Sequence, residues 1–130
     1  MHALLIEDHG LISWLLEEEL RDMGYDSFDV AVTEAQAVAA AHLHQPDLIT
    51  ADAFLRCGTG PSAVRTICRE GAVPVVFITG DLDMARRLSV DAVVLEKPFT
   101  AAELTCAVER ARVSSCYDIS PMQAVGVRTD

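Results

Sequence analysis

Four short apolar runs in this chain each lead into a group able to do chemistry. Glu7 and Asp8 follow Ala3-Leu4-Leu5-Ile6, Asp52 closes Leu48-Ile49-Thr50-Ala51, Thr79 follows Val75-Val76-Phe77-Ile78, and Lys97 comes just after Ala92-Val93-Val94-Leu95. Each run has the length and composition of a strand buried on both faces. Parallel strands end at one edge of their sheet, and open α/β sheets bind ligands at that edge, so these side chains are expected to converge. Crowded carboxylates repel and raise one another's pKa unless a cation sits among them, and an oxygen-rich site with open positions suits Mg²⁺. An ammonium and a hydroxyl beside that site suit a phosphoryl group in transfer.

The elements that must position these groups can be read from the spacing of apolar residues. Ile12, Leu16, Leu20 and Met23 recur at helical intervals over residues 10–23, and Gly24 is a natural stop. A second strand is predicted over 28–32. Thr33-Glu34-Ala35-Gln36 then has the spacing of a capping box and opens an alanine-rich helix to about His44. Pro46 marks the turn into the third strand, 48–52. Residues 53–60 read as a loop, and Pro61 suits the first turn of a helix through Glu70. A β-branched strand over 73–78, a short helix over 81–89 and a fifth strand over 92–95 follow. Thr100-Ala101-Ala102-Glu103 is a second capping box, heading a helix through about Arg112. Strict alternation of strand and helix predicts an α/β fold with a parallel sheet, right-handed crossovers and helices on both faces. Residues 113–130 lack a period and contain Pro121 and Gly126, which predicts a C-terminal tail without a separate output domain, leaving one domain over 1–112.

Bulk properties narrow the function. The net charge of -10 argues against direct binding to nucleic acid or an anionic membrane surface. No apolar run approaches the roughly 20 residues needed to span a bilayer, and Met1-His2-Ala3 leads straight into a strand, so a cytoplasmic location is expected. Cys57, Cys68, Cys106 and Cys116 form no C-x-x-C pair and have no histidine at ligand spacing, which reads as reduced thiols. Asp47 precedes its strand and belongs to the opposite edge of the sheet. His9 is expected to face solvent, and His42 and His44, two apart on a helix, make a poor metal pair.

The acidic pair, the aspartate after the third strand, the threonine after the fourth and Lys97-Pro98 after the fifth occur in the order found in receiver domains of two-component response regulators. From about Ala3 to Arg112 the chain resembles that family. The resemblance implies a flavodoxin-like five-stranded parallel sheet of order 2-1-3-4-5, with a cis bond between Lys97 and Pro98. It implies that Asp52 is the phosphoryl acceptor, served by a histidine kinase or histidine phosphotransfer protein. Mg²⁺ would be held by Asp8, Asp52 and the backbone carbonyl of Phe54, with Glu7 acting through a water. Lys97 would pair with the phosphoryl oxygens and Thr79 would be the switch hydroxyl.

Departures from the pattern sharpen the reading. Leu55-Arg56 stands where the family commonly has Met-Pro, which adds a cation near the acceptor. Val94 replaces the usual aromatic residue, and the segment from Thr79 to Lys97 is short by about one helical turn, so a reduced fourth helix is expected. Thr79-Gly80 after Pro74-Val75-Val76-Phe77-Ile78 resembles an atypical receiver subgroup of alphaproteobacterial stress-response regulators. The expected function is a phosphorylation-dependent switch acting through protein contact or phosphate relay. It is not an enzyme beyond catalysing its own phosphoryl transfer and dephosphorylation. The alternative is a degenerate receiver serving as an unphosphorylated interaction module. An aspartyl-phosphate hydrolase of the haloacid dehalogenase type would want an acid two residues after the nucleophile, where Phe54 stands.

Overall fold

A computed structural model describes residues 1–55, 57–81, 83, 87–88 and 92–114. Arg56, most of the helix expected over 81–89 and the tail beyond Ser114 lie outside the described residues. The elements are β1 His2–Ile6, α1 Gly10–Asp22, β2 Ser27–Ala31, α2 Glu34–Leu43, β3 Leu48–Asp52, α3 Gly60–Cys68, β4 Val75–Thr79, β5 Val93–Glu96 and α4 Ala101–Val113. The strands form one five-stranded sheet of order β2-β1-β3-β4-β5, and every pairing is parallel. This is the flavodoxin-like order that the resemblance implied.

The alternation of side chains along each strand divides the core into two layers. Ala3, Leu5, Leu48, Val76 and Ile78 face α1 and α4, where Leu16, Leu20, Leu104 and Val108 meet them. Leu4, Ile6, Ile49, Ala51 and Phe77 face the opposite layer, built from Ala37 of α2 and Ala63, Val64 and Ile67 of α3. β1, β3 and β4 are therefore covered on both faces and read as largely apolar runs, whereas β2 at the sheet edge, with Ser27 and Asp29, is only partly buried.

Boundaries move by a residue or two for local reasons. β4 begins at Val75 rather than Val73 because Pro74 has no N–H to give the ladder, although its carbonyl accepts the Ile49 N–H at 2.9 Å. α3 opens one residue before Pro61, with the Thr59 hydroxyl accepting the Ser62 N–H at 3.2 Å as its cap. The box at α4 closes in both directions, between Thr100 and Glu103. At α2 only half of it forms: Thr33 accepts the Gln36 N–H at 3.1 Å, but the Gln36 side chain reaches back to the Val32 N–H at 2.9 Å, one residue further than expected.

Candidate functional site

The carboxyl edge of the sheet brings together residues far apart in sequence. The Glu7 N–H donates to the Ala31 carbonyl at 2.9 Å, which extends the β1 ladder and fixes the start of the turn that carries Asp8. Asp52 is the last residue of β3. Lys97 follows β5, its N–H donating to the Thr79 carbonyl at 2.9 Å, and the bond to Pro98 is cis as expected.

From these anchors the charged groups converge. The Lys97 Nζ lies 3.3 Å from Glu7 Oε1 and 3.3 Å from Asp52 Oδ2. One carboxylate oxygen from each of Glu7, Asp8 and Asp52 lies within 4.8 Å of the other two. Backbone amides complete the setting: the His9 N–H donates to Glu7 Oε2 at 3.1 Å and the Phe54 N–H to Asp52 Oδ1 at 3.3 Å. One oxygen of Asp52 is thus held by an amide and the other by an ammonium.

Glu7 is 2% exposed, and its burial raises its pKa above the ordinary carboxylate value. The charge of Asp52 pushes the same way, and Lys97 together with the His9 amide offsets only part of it. Partial burial alone would lower the Lys97 pKa, but the negative charge of Glu7 and Asp52 outweighs it and the net shift is upward. Three carboxylates against one ammonium leave this pocket short of positive charge. Its oxygen donors fit a hard divalent ion such as Mg²⁺.

Thr79 is buried at the same edge but joins the site through its backbone, since its hydroxyl accepts the Asp81 N–H at 3.0 Å. The Phe54 ring is 50% exposed beside Asp52. Val94, which stands where the resembled family usually has an aromatic residue, is half-buried against the α2 and α3 layer. Asp47 lies at the far edge, bonded to the His2 N–H at 2.7 Å, and His9 is exposed, both as the sequence implied.

One residue that contacts the loop following Asp52 was not singled out from the sequence. Glu34, in the first turn of α2, accepts the Thr59 N–H at 3.3 Å and the Ser62 hydroxyl at 2.7 Å, while its own N–H donates to the Cys57 carbonyl at 3.1 Å. It clamps the end of the loop between Asp52 and α3. An acid in a first helical turn signals only a favourable dipole in sequence, so this second role needed the fold.

The family model for the response regulator receiver domain matches residues 3–109. The chain is 33% identical over 125 residues to the transcriptional regulatory protein PdtaR of Mycobacterium tuberculosis, covering 93% of this chain and 60% of that protein. It therefore spans about three fifths of that relative's length. The solution structure of the Erythrobacter litoralis PhyR receiver domain superposes with a TM-score of 0.76 at 31% identity, covering 90% of this chain and 92% of the other. The receiver domain of the sensor histidine kinase PA1611 from Pseudomonas aeruginosa gives a TM-score of 0.72 at 31% identity, covering 84% and 94% respectively. That crystal structure has magnesium coordinated in its active-site cleft.

Proposed function

The chain belongs to the response regulator receiver domain family, and from that premise we propose that it is a phosphorylation-dependent signalling switch with Asp52 as its phosphoryl acceptor. The observation that carries this reading is the Lys97 ammonium held 3.3 Å from both Glu7 and Asp52, with Asp8 in the same carboxylate cluster. In the reaction a carboxylate oxygen of Asp52 attacks the phosphorus of a phosphohistidine, the P–N bond breaks, and the histidine nitrogen leaves. Lys97 is placed to stabilise charge on the transferring oxygens, and the Phe54 amide orients the attacking carboxylate. Glu7, Asp8, Asp52 and the Phe54 carbonyl are the residues that would hold Mg²⁺, which when bound supplies further neutralisation of the phosphoryl group. As the switch, the Thr79 hydroxyl would leave the Asp81 amide and turn to the phosphoryl oxygens.

The donor would be a histidine kinase or histidine phosphotransfer protein, in a cytoplasmic setting. Exposed Leu11, Trp14 and Leu15 on α1, which begins two residues after Asp8, together with Phe54, offer apolar surface for it. The similarity to the PhyR receiver fits the narrower likeness of Thr79-Gly80 to the atypical subgroup. No described helix is long and apolar enough to cross a membrane. Val94 in place of an aromatic favours the second reading, a receiver that works as an unphosphorylated interaction module. Intact-mass measurement after incubation with acetyl phosphate separates the two. A switch gains one phosphoryl group when Mg²⁺ is present and none in excess chelator, whereas an interaction module gains none in either.

A further inference from the structure

A second group of metal-ligating side chains meets at the amino edge of the sheet, across the molecule from Asp52. His2, at the start of β1, is only 5% exposed. Its Nδ1 stands 2.7 Å from Ser27 Oγ and its Nε2 stands 3.0 Å from Asp29 Oδ2. The strand period explains the arrangement: Ser27 and Asp29 are two apart on β2 and share a face, in register with His2 and Leu4 of β1. His44, the C-cap of α2, lies over them, its ring stacked on that of His2 with centroids 3.6 Å apart and planes at 15°. A ligand atom from each of His2, Asp29 and His44 lies within 4.8 Å of the other two.

We propose that His2, Asp29 and His44 form a binding site for a borderline transition-metal ion, with Zn²⁺ as its representative. Two imidazoles and one carboxylate are a donor set suited to zinc, and they leave a coordination position open. Ser27 engages the ring nitrogen of His2 that would not bind the metal, the kind of outer contact that fixes a ligating imidazole in place. The site also lies at the carbonyl end of α2, and the Asp47 carboxylate holds the neighbouring His2 N–H at 2.7 Å, so the local field favours a cation. The ligands come from β1, β2 and the end of α2, and the fold has already brought them together.

Binding requires two small movements. Ligands about 2.1 Å from a tetrahedral ion stand about 3.4 Å apart, so the pair formed by His2 Nε2 and Asp29 Oδ2 opens by a few tenths of an ångström. His44 must also turn its ring edge toward Asp29, exchanging the stack for coordination, and being exposed it has room to do so. The two metal sites differ in chemistry: the pocket at Asp52 offers only oxygens, whereas this one offers imidazole nitrogen.

The test titrates Zn²⁺ into the full chain with Mg²⁺ at saturating concentration, following histidine ring resonances by NMR and the melting temperature. In the wild type one Zn²⁺ is expected to shift the His2 and His44 resonances, leave those of His9 and His42 in place, and raise the melting temperature. His44→Ala, at an exposed position, should weaken that binding at least tenfold and abolish the thermal shift, and His42→Ala should leave both intact. Equal Zn²⁺ affinity in the wild type and His44→Ala, or unmoved His2 and His44 resonances, would overturn the proposal.

Discussion

At the residue scale, Glu7 links the stability of the metal-free fold to pH. Its folded pKa lies above the unfolded value of 4.5, first through burial and then through Asp52, so the native state holds that proton more tightly. Stability attributable to Glu7 therefore falls as pH rises from about 4.5 through the raised value, and returns on acidification. Lys97 acts in another range, because its raised pKa gives stabilisation that is intact below 10.5 and is lost only above it. Denaturation in excess chelator should show Glu7→Gln more stable than wild type at neutral pH, with the gap closing toward pH 4.5. A constant gap across that range would mean that ionisation of Glu7 is not what differs. Lys97→Ala should act oppositely, since it leaves the buried Glu7 beside Asp52 without its cation, and should cost about 3 kcal/mol at neutral pH. The charged members of this site were legible in sequence because each follows an apolar run. The direction of the Thr79 hydroxyl, the second role of Glu34 and the meeting of His2 with His44 were not, because each depends on a loop or a neighbouring element.

At the element scale, the loop from β3 to α3 adjoins Asp52, whose Oδ1 accepts the Phe54 N–H. Thr59 caps α3 through the Ser62 N–H, and Thr59→Ala should cost about 1 kcal/mol in chemical denaturation. A loss near zero would show that water or Glu34 replaces the cap. Gly60 is held more tightly still: a Cβ there would run into the backbone carbonyl of Asp52. Gly60→Ala should therefore displace the end of β3, destabilising the fold by more than the Thr59 change and slowing phosphoryl uptake. A fully active, equally stable Gly60→Ala would show that the loop has slack. Sequence identified this segment as a loop from its glycines and lack of period, but not the cap at Thr59, because Pro61 drew the helix start one residue late. The capping boxes show the same limit. Thr100 and Glu103 closed as their spacing implied, whereas Gln36 found the Val32 N–H instead.

At the scale of the whole molecule, the two-layer core follows from the alternation of Ala3 and Leu5 with Leu4 and Ile6, but the strand order does not. Apolar runs say that strands are buried and parallel; which neighbours they choose came from the family resemblance. Mg²⁺ that binds only the folded state should stabilise it by about 1.4 kcal/mol at ten times its dissociation constant, a melting shift of a few degrees. Asp8→Asn should shrink that shift while leaving Asp52 in place, and an unchanged shift would remove Asp8 from the ion's ligands. The central claim is that the fold makes Asp52, among its crowded carboxylates, the one that takes a phosphoryl group. Borohydride trapping of the acyl phosphate after Mg²⁺ and acetyl phosphate treatment, followed by peptide mapping, addresses it most directly. The account predicts reduction at Asp52 alone, absent from Asp52→Asn and from samples in chelator; reduction at Glu7 or Asp8, or no trapped residue in the wild type, would contradict it.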